Sequence, residues 1–315
     1  MKLAFDARCE NGKASSFTRV LELWRHAADV VGLEYTNWHD GFCNADVLLS
    51  PNSDIAPIKG PVKIAALHDA NPLQPQPSSW LRRAPAILAL KKTARNLQLN
   101  ADHVITGTHF AKESIGVAFP ALGDKLHVIP HYPSSIFTPG EVDYELLSQH
   151  SLPANCILFV SALHKQKNWD GMLAAWSALP SELRLNHPLV FVNSKKQAPQ
   201  KTKPGNLIFT GCLNDKVLLN LYRSAKLMVF PSFAEGFCLP PLEALCSGCP
   251  VIASETTSMP EVLGDSIDYF NPFKMSSMMT TLEKHVALPR PAIDHKPAWS
   301  AELTGSKLFE LINNI

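Results

Sequence analysis

Short runs of apolar residues alternate along most of the chain with longer stretches in which apolar positions recur at helical spacing. This alternation is typical of β-α-β units, which build parallel sheets covered by helices. In the first part of the chain the pattern predicts strands at Leu3–Phe5, Val47–Leu49, Ile64–Leu67, His103–Ile105 and His127–Ile129. It predicts helices at Phe17–Val31, Ala84–Leu97 and Phe110–Phe119. Pro85 fits the first turn of the second of these helices, where no backbone N–H is needed.

The second part of the chain repeats the alternation. The apolar runs predict strands at Ile157–Val160, Leu189–Val192, Leu207–Phe209, Leu227–Phe230 and Val251–Ala253. The helical spacing predicts helices at Trp169–Leu179, Lys216–Ala225, Pro241–Ser247 and Ala298–Ile312. A segment rich in turn-forming residues, His131–Gly140, separates the two parts. We therefore predict an α/β fold with two Rossmann-like parallel-sheet domains, 1–138 and 139–297, followed by a C-terminal helix in 298–315.

Composition narrows the class of protein. The 315 residues include 29 Lys and Arg against 28 Asp and Glu, a net charge of +1 that lacks the basic excess of a nucleic-acid binder. No run of about eighteen uncharged apolar residues predicts a membrane span, and the first residues lack the long apolar segment of a signal peptide. Seven scattered cysteines are typical of reduced thiols, so we expect a cytoplasmic protein.

Several common sites are missing from the sequence. No two of the fifteen glycines are separated by a single residue, which excludes a G-x-G-x-x-G dinucleotide motif, and there is no Walker phosphate loop. A G-x-S-x-G nucleophile elbow is also absent. The sequence has no D-x-D, a frequent way of holding a metal against a diphosphate, so we expect no metal requirement.

The segment Leu227–Val262 carries the most chemistry. A buried strand ends at Pro231-Ser232, a loop containing Glu235 follows, and Pro240-Pro241 opens a helix that Gly248 ends. The start of such a helix presents free N–H groups and the positive end of its dipole, which suits an anion. Two carboxylates beside a phosphate would repel it, so we expect Glu235 and Glu243, the latter in the first helical turn, to accept hydrogen bonds from sugar hydroxyls. A glutamate in a first turn can also simply complement the helix dipole.

The whole segment is more specific than the spacing of its two glutamates. It resembles the donor-binding signature of retaining glycosyltransferase family 4, also called group 1, whose pattern is P-S-x-x-E-G-F-G-L-P-x-L-E-A-M-A-x-G-x-P-V-I-x-S. The matching residues are Pro231, Ser232, Glu235, Gly236, Phe237, Leu239, Pro240, Leu242, Glu243, Ala244, Gly248, Pro250, Val251, Ile252 and Ser254. Downstream, Ser258–Val262 and Gly264-Asp265 resemble the family's S-L-P-E-V-x-G-D. This resemblance implies the GT-B fold, in which two such domains face a central cleft and the last helix crosses back to the first domain.

The resemblance also implies which residues hold the donor, a nucleotide-diphosphate sugar bound mostly by the second domain. Glu243 would bind the ribose hydroxyls and Glu235 the donor sugar. The backbone amides of Gly236, Phe237, Cys238 and Leu239 would hold sugar hydroxyls and the diphosphate. The nucleobase would lie near Gly211, Cys212 and Leu213. Cys238 stands where the family has glycine, so its side chain is expected to narrow the pocket.

Two lysines are candidates for the charge that the diphosphate requires. Lys165 and Lys167 follow the strand Ile157–Val160 and precede a helix for which Asn168 is a candidate N-cap. The family has a lysine at the position of Lys167 and often an arginine where Ala162 stands here, so Lys165 would have to compensate. The alternative interpretation is a solvated loop with two incidental lysines.

In the first domain, which the resemblance implies binds the acceptor, His68-Asp69 follows the strand Ile64–Leu67. It resembles the family's H-D, in which the histidine lies beside the donor sugar and helps to orient the reacting groups. A histidine at a strand end can also be a hydrogen-bonded structural residue. Gly12 resembles the family's glycine loop near the diphosphate, although the G-R-Y-T run that accompanies it is altered to Ser15–Arg19.

The implied reaction is a retaining hexosyl transfer on one face of the sugar, in which the leaving phosphate helps to deprotonate the acceptor. His68, Asp69, Glu235 and Lys167 are the candidate catalytic residues. Ser258–Asp265 looks most like mannosyl- and related hexosyltransferases of surface polysaccharide assembly, which favours GDP-mannose as donor, with UDP-hexose second, and a saccharide or lipid-linked acceptor. Alternatives are a GT-B-like nucleotide-sugar epimerase, a phosphorylase and a non-catalytic sugar-nucleotide-binding module.

One further surface suggests a partner. Trp80–Leu97 combines Arg82, Arg83, Lys91, Lys92 and Arg95 with a helical apolar pattern. Such a segment is consistent with peripheral contact to an anionic membrane at its inner face or to a lipid phosphate. The alternative is the ordinary solvated face of a surface helix.

Overall fold

The computed structural model describes residues 1–11, 16–192 and 206–315. Contacts between Cα atoms divide the chain into two units. Unit 1 comprises Met1–Gln74, Ser78–Tyr132 and Ala298–Ile315, and unit 2 comprises Pro75–Pro77 and Pro133–Pro297. The main division therefore falls at Tyr132/Pro133, a few residues before the boundary set from the sequence.

Unit 1 is built around a six-stranded parallel sheet with the strand order β2-β1-β3-β4-β5-β6. Its strands are β1 (Leu3–Asp6), β2 (Tyr35–Trp38), β3 (Val47–Ser50), β4 (Val62–Ala66), β5 (His103–Thr106) and β6 (Leu126–Val128). Its first helices are α1 (Ser16–Val30), α2 (Trp80–Asn100) and α3 (His109–Ala118). The central strands β1 and β3 are buried along their whole length, which explains why they read as unbroken apolar runs.

Two features of unit 1 differ from the sequence prediction. Strand β2 was not predicted because it lies at the sheet edge, where only Trp38 of its four residues is buried and no apolar run marks it. Helix α2 begins at Trp80 instead of Ala84, so the prediction that Pro85 lies in the first turn was wrong. Pro85 deprives the carbonyl of Leu81 of its helical N–H, but this turn is at the surface, where water can replace the bond.

Unit 2 contains a second six-stranded parallel sheet, with the order β12-β11-β10-β7-β8-β9. Its strands are β7 (Ile157–Val160), β8 (Leu189–Val192), β9 (Leu207–Gly211), β10 (Leu227–Phe230), β11 (Val251–Ser254) and β12 (Asp268–Phe270). Its helices are α4 (Tyr144–Gln149), α5 (Trp169–Ala178), α6 (Ser181–Asn186), α7 (Asp215–Ser224), α8 (Leu239–Cys246), α9 (Met259–Leu263) and α10 (Met275–Ala287). The order is that of a doubly wound nucleotide-binding fold, and it reverses between β7 and β10.

The last helix, α11 (Ala301–Asn313), returns to unit 1 and packs against α1. Gly305 allows the close approach, because a Cβ at this position would collide with the carbonyl oxygen of Ala27 and the side chain of Val31. Thr304 fixes the register by donating from Oγ1 to the carbonyl oxygen of Pro130 at 2.8 Å.

The described residues contain no helix that combines the length and apolar character needed to cross a membrane. The helices α4, α6, α9 and α10 and the strand β12 were not predicted from the sequence. Strand β12 is three residues long at the sheet edge and mostly half-buried, so it lacks a distinct apolar run. The remaining elements match the predicted ones, with ends shifted by a few residues.

Candidate functional site

The switch in strand order places two loops of unit 2 side by side. Strand β7 continues into the loop that carries Lys167, and β10 continues into the loop that carries Glu235. The two strands are parallel neighbours, with Leu227 opposite Ile157 and Met228 opposite Leu158. Their carboxyl ends therefore open at the same edge of the sheet, which is where doubly wound folds bind their ligands.

The two loops are joined by an ion pair. Lys167 Nζ lies 2.7 Å from Glu235 Oε1 and 2.8 Å from Glu235 Oε2. Of the two side chains, that of Glu235 is 9% exposed and that of Lys167 is 23% exposed. A carboxylate this deeply buried requires a compensating charge, and Lys167 supplies it. The geometry therefore brings together the two residues of unit 2 that the sequence analysis named as catalytic.

The neighbouring backbone strengthens the contact between the loops. The amide of Phe233 donates to the carbonyl oxygen of Gln166 at 2.9 Å, and Gln166 Nε2 donates to the carbonyl oxygen of Ala234 at 2.7 Å. Gln166 and Lys167 thus hold the Glu235 loop at three consecutive residues. The position of the carboxylate is set by the fold and does not depend on the Lys167 side chain alone.

A second carboxylate comes from α8. The helix begins at Leu239, so Glu243 is its fifth residue, and the prediction that Glu243 lies in the first turn was wrong. Pro240 and Pro241 occupy the second and third positions, where the helix still needs no N–H from them. Glu243 is 4% exposed. A glutamate is almost never this buried unless its carboxylate has a partner, so Glu243 is not an ordinary solvated surface residue.

The residue before α8 adopts an unusual backbone conformation. Cys238 has φ 71° and ψ 55°, in the left-handed region that glycine adopts without strain. Its side chain is 5% exposed, and Gly236 and Phe237 are buried as well. Burial raises the pKa of the Cys238 thiol well above its usual value, and the Glu235 charge adds to this rise. The thiol therefore packs in the interior of the loop and is not a nucleophile at neutral pH.

The other donor-binding candidates differ in how the structure places them. Gly211 ends β9 with φ 76°, Cys212 is exposed and Leu213 is half-buried, at the carboxyl edge of the same sheet. Strand β9 is separated from β10 by β7 and β8. Lys165 is exposed in the turn before Lys167. Gly12 lies outside the described residues.

Asn168 occupies the predicted N-cap position of α5, but it does not cap the helix with its side chain. Its φ of 53° is left-handed, and its side chain lies over Gly171, where a Cβ would collide with it. Among residues 1–11, 16–192 and 206–315, no group of three His, Cys, Asp or Glu side chains could hold a metal ion.

In unit 1, His68 follows β4 and is fixed by two hydrogen bonds. Its Nε2 lies 2.8 Å from the carbonyl oxygen of Pro51, and its Nδ1 lies 3.4 Å from Nε2 of His131. A carbonyl oxygen only accepts, so Nε2 of His68 carries the proton and Nδ1 accepts from His131. Phe17 stacks on the His68 ring with 5.8 Å between ring centres.

Burial governs the protonation of this pair. It lowers the pKa of His68, against smaller upward effects of the Pro51 hydrogen bond and the Asp69 charge. It lowers the pKa of His131 to about 3, with a further contribution from His68. Both imidazoles are therefore neutral at pH 7. Asp69 makes a tight turn by accepting the Asn71 amide on Oδ1 at 2.9 Å.

Sequence reasoning assigned no contact at these sites to two groups of residues, although Ser258 was named as part of the Ser258–Val262 motif. His131, 4% exposed, lies shortly after β6 and supports His68. Thr256, Thr257 and Ser258 follow β11 and bond to the backbone of the Glu235 loop. The signal that could have found them is the same strand-end rule that pointed to His68, because each group comes shortly after the carboxyl end of a parallel strand.

With two doubly wound parallel-sheet units and this paired-loop site, the chain has the architecture of the GT-B glycosyltransferases. Residues 148–272 match the family described as glycosyl transferases group 1. The solved structure of HepE from Anabaena, in complex with UDP and glucose, superposes with a TM-score of 0.67 at 12% identity, covering 100% of this chain and 99% of that one. This similarity confirms the predicted GT-B fold.

Two curated relatives extend the match. The serotype-specific mannosyltransferase WbdA of Escherichia coli is 34% identical over 244 residues, which cover 73% of this chain and 28% of WbdA. The O-antigen chain mannosyltransferase RfbU of Salmonella typhimurium is 26% identical over 236 residues, covering 71% of this chain and 60% of RfbU. The matched region thus spans little more than a quarter of WbdA. Residues 148–272, which include the Glu235 motif, thus match the group 1 glycosyl transferases, as the sequence motif predicted.

Proposed function

We propose that this protein is a retaining glycosyltransferase that moves a hexose, with mannose favoured, from a nucleotide-diphosphate sugar to a hydroxyl of a saccharide or lipid-linked acceptor. The observation that carries the proposal is the Lys167–Glu235 ion pair at the strand-order switch of unit 2. It combines a cation for a phosphate with an acid for sugar hydroxyls in one place. The names of WbdA and RfbU as mannosyltransferases support mannose as the sugar, and the O-antigen role in the name of RfbU supports polysaccharide assembly. GDP-mannose is therefore the favoured donor, with UDP-hexose as second choice.

The two buried glutamates and the start of α8 bind different parts of the donor. Glu243 accepts hydrogen bonds from the ribose hydroxyls, and Glu235 accepts them from the sugar. The diphosphate lies at the start of α8, where the amides of Gly236–Leu239 and the helix dipole favour negative charge without a metal. Lys167, which also pairs with Glu235, donates hydrogen bonds to the diphosphate. The charge of the exposed Lys165 contributes less because solvent screens it.

The reaction breaks the bond between the anomeric carbon and the diphosphate oxygen and forms a bond to the acceptor oxygen on the same face. The proton of the acceptor hydroxyl passes to the leaving phosphate. Lys167 and the helix amides stabilise the negative charge that develops on the diphosphate as it leaves. His68 and Asp69 orient the reacting groups.

Donor binding is tested by a thermal-shift screen of GDP-mannose, UDP-glucose and the free nucleotides. A ligand at about a hundred times its Kd stabilises the protein by about 2.7 kcal/mol. Transfer to an O-antigen oligosaccharide, measured with and without EDTA, tests activity and metal independence, and NMR of the anomeric proton in the product tests retention. Absence of any nucleotide-sugar binding, or an inverted product, would contradict the proposal.

A matched pair of variants tests the donor site. Glu243→Ala should raise the Kd for the nucleotide sugar at least about tenfold, because it removes charge-assisted hydrogen bonds to the ribose. Glu283→Ala removes an exposed glutamate of α10 and should leave the Kd unchanged. Equal affinities of the two variants would show that Glu243 does not bind the donor.

The same assays separate the alternatives. An epimerase would convert the nucleotide sugar without any acceptor, and a phosphorylase would show the absorbance of pyridoxal phosphate. A non-catalytic module would bind the donor and neither transfer nor hydrolyse the sugar.

Helix α2 supports a further proposal, peripheral contact with an anionic membrane. Leu81 and Leu88 are 77% and 65% exposed and lie two turns apart on one face, beside the exposed Lys92 and Arg95. Leu81→Ser/Leu88→Ser should reduce co-sedimentation with phosphatidylglycerol vesicles, whereas Leu185→Ser, at an equally exposed leucine of unit 2, should not. Equal binding of all variants would exclude this face.

A further inference from the structure

Thr257 adopts a backbone conformation that its side chain disfavours. Its φ is 55°, in the left-handed region, and a β-branched residue is rare there. It lies in the connection between β11 and α9, between Thr256 and the buried Ser258. A strained backbone conformation persists only where contacts with the surrounding structure enforce it. At Thr257 these contacts are hydrogen bonds to the Glu235 loop.

The conformation allows three consecutive hydroxyl groups to reach one short segment of backbone. Thr256 Oγ1 donates to the carbonyl oxygen of Phe233 at 3.1 Å, and Ser258 Oγ donates to the carbonyl oxygen of Glu235 at 3.0 Å. Between them, Thr257 Oγ1 accepts from the amide of Glu235 at 3.0 Å. Side chains alternate in an extended strand and rotate away from each other in a helix, so a regular backbone would not direct all three to the same loop.

Two of these three bonds are made to Glu235. Its amide is held by Thr257, its carbonyl by Ser258, and its carboxylate by Lys167. The residue is 7% exposed, so an amide that lost its acceptor would be left unsatisfied in a place where water has little access. The backbone of Glu235 is therefore held by hydroxyl groups of another loop.

We propose that Thr257 is a positioning residue for Glu235, and that its left-handed conformation sets the direction from which the Glu235 carboxylate meets the donor sugar. The inference rests on the proposed function, because Glu235 is assigned there to the sugar. It adds that recognition of the hexose depends on the β11–α9 connection. Recognition of the nucleotide, assigned to Glu243 on α8, does not depend on this connection.

Thr257→Val removes the acceptor and keeps the branched shape. It should lower kcat/KM for the nucleotide sugar by about tenfold, since a buried amide loses its partner. The Kd of the nucleoside diphosphate without the sugar should stay the same. Thr257→Ser keeps the hydroxyl and should remain close to wild type. Thr256→Val is the matched control, because it removes a hydroxyl that bonds to the same loop but not to Glu235.

A double-variant cycle separates positioning from general loop support. If Thr257 acts through Glu235, Thr257→Val should cost little further activity once Glu235→Gln is present. An equal loss in both backgrounds, or equal losses for Thr257→Val and Thr256→Val, would overturn the proposal. If Thr257→Val does not fold, Thr257→Gly replaces it, since glycine also removes the acceptor and tolerates the left-handed region.

A readout independent of activity is hydrogen exchange at the Glu235 amide. Thr257→Val should accelerate this exchange at least about tenfold, and Thr256→Val should not. Unchanged exchange would overturn the proposal whether or not the enzyme is active. A wild-type protein that binds no nucleotide sugar would instead refute the proposed function, so the two failures are distinguishable.

Discussion

Replacing His131 by asparagine should reduce the loss of stability that the protein suffers between pH 7 and pH 5. The His131 side chain is 4% exposed, with Nε2 at 3.4 Å from His68 Nδ1, and burial lowers its pKa from 6.5 to about 3. The unfolded chain therefore binds a proton on this histidine below pH 6.5, while the folded chain does not until near pH 3. Stability due to the neutral imidazole is present above pH 6.5 and is lost as the pH falls towards 3.

The magnitude follows from the two pKa values. Between pH 7 and pH 5 a histidine of pKa 6.5 takes up most of a proton in the unfolded state, which lowers the free energy of unfolding by about 2 kcal/mol. His68, whose pKa burial also lowers, contributes in the same direction. The carboxylates that titrate in this range are common to wild type and variant, so the difference between the two proteins isolates His131.

The assay is urea unfolding at pH 7 and pH 5, followed by circular dichroism. The loss of unfolding free energy between the two pH values should be about 2 kcal/mol smaller in His131→Asn than in wild type. His109→Asn, at an exposed histidine of unit 1, is the control and should keep the wild-type loss. If His131→Asn loses as much as wild type, His131 is not held neutral by burial, and the pairing with His68 is wrong.

Two further predictions concern unit 2. Lys167→Met should lower the free energy of unfolding by about 2 kcal/mol, because it leaves the buried Glu235 carboxylate without its cation. The double variant Lys167→Met/Glu235→Gln should recover part of this loss, because the uncompensated charge is gone. Thermal denaturation measures the stability of both variants. Iodoacetamide at pH 7.5 should modify the exposed Cys212 before Cys238, because burial raises the pKa of the Cys238 thiol. GDP-mannose should protect Cys212 from modification if the nucleobase lies there. Mass spectrometry of the cysteine-containing peptides measures both the order of modification and the protection. Faster modification of Cys238, or denaturation unchanged by Lys167→Met, would contradict the placement of these side chains.

The sequence was informative where burial is complete. Strands such as Ile157–Val160 and Leu227–Phe230 are buried at every residue, and their apolar runs located both ends correctly. The edge strands Tyr35–Trp38 and Asp268–Phe270 were missed because half-exposed strands carry mixed residues that resemble loops. The start of α2 was missed because Pro85 was expected to mark it, whereas a surface turn accommodates a proline farther along the helix.

The sequence by itself determined the two-part α/β organisation and the motif around Glu235, since both depend on residues that are neighbours along the chain. Only the tertiary structure decided which distant residues complete the site. Lys167 and Glu235 are 68 residues apart, and they meet because β7 and β10 pair across the switch in strand order. Thr257 reaches Glu235 because β11 pairs with β10. His131 reaches His68 across β5, which lies between the strands that precede them. The order of strands in a sheet is fixed by hydrogen bonds between segments that are remote along the chain. The hydrophobic pattern of the sequence does not predict this order, because every buried parallel strand shows the same apolar run.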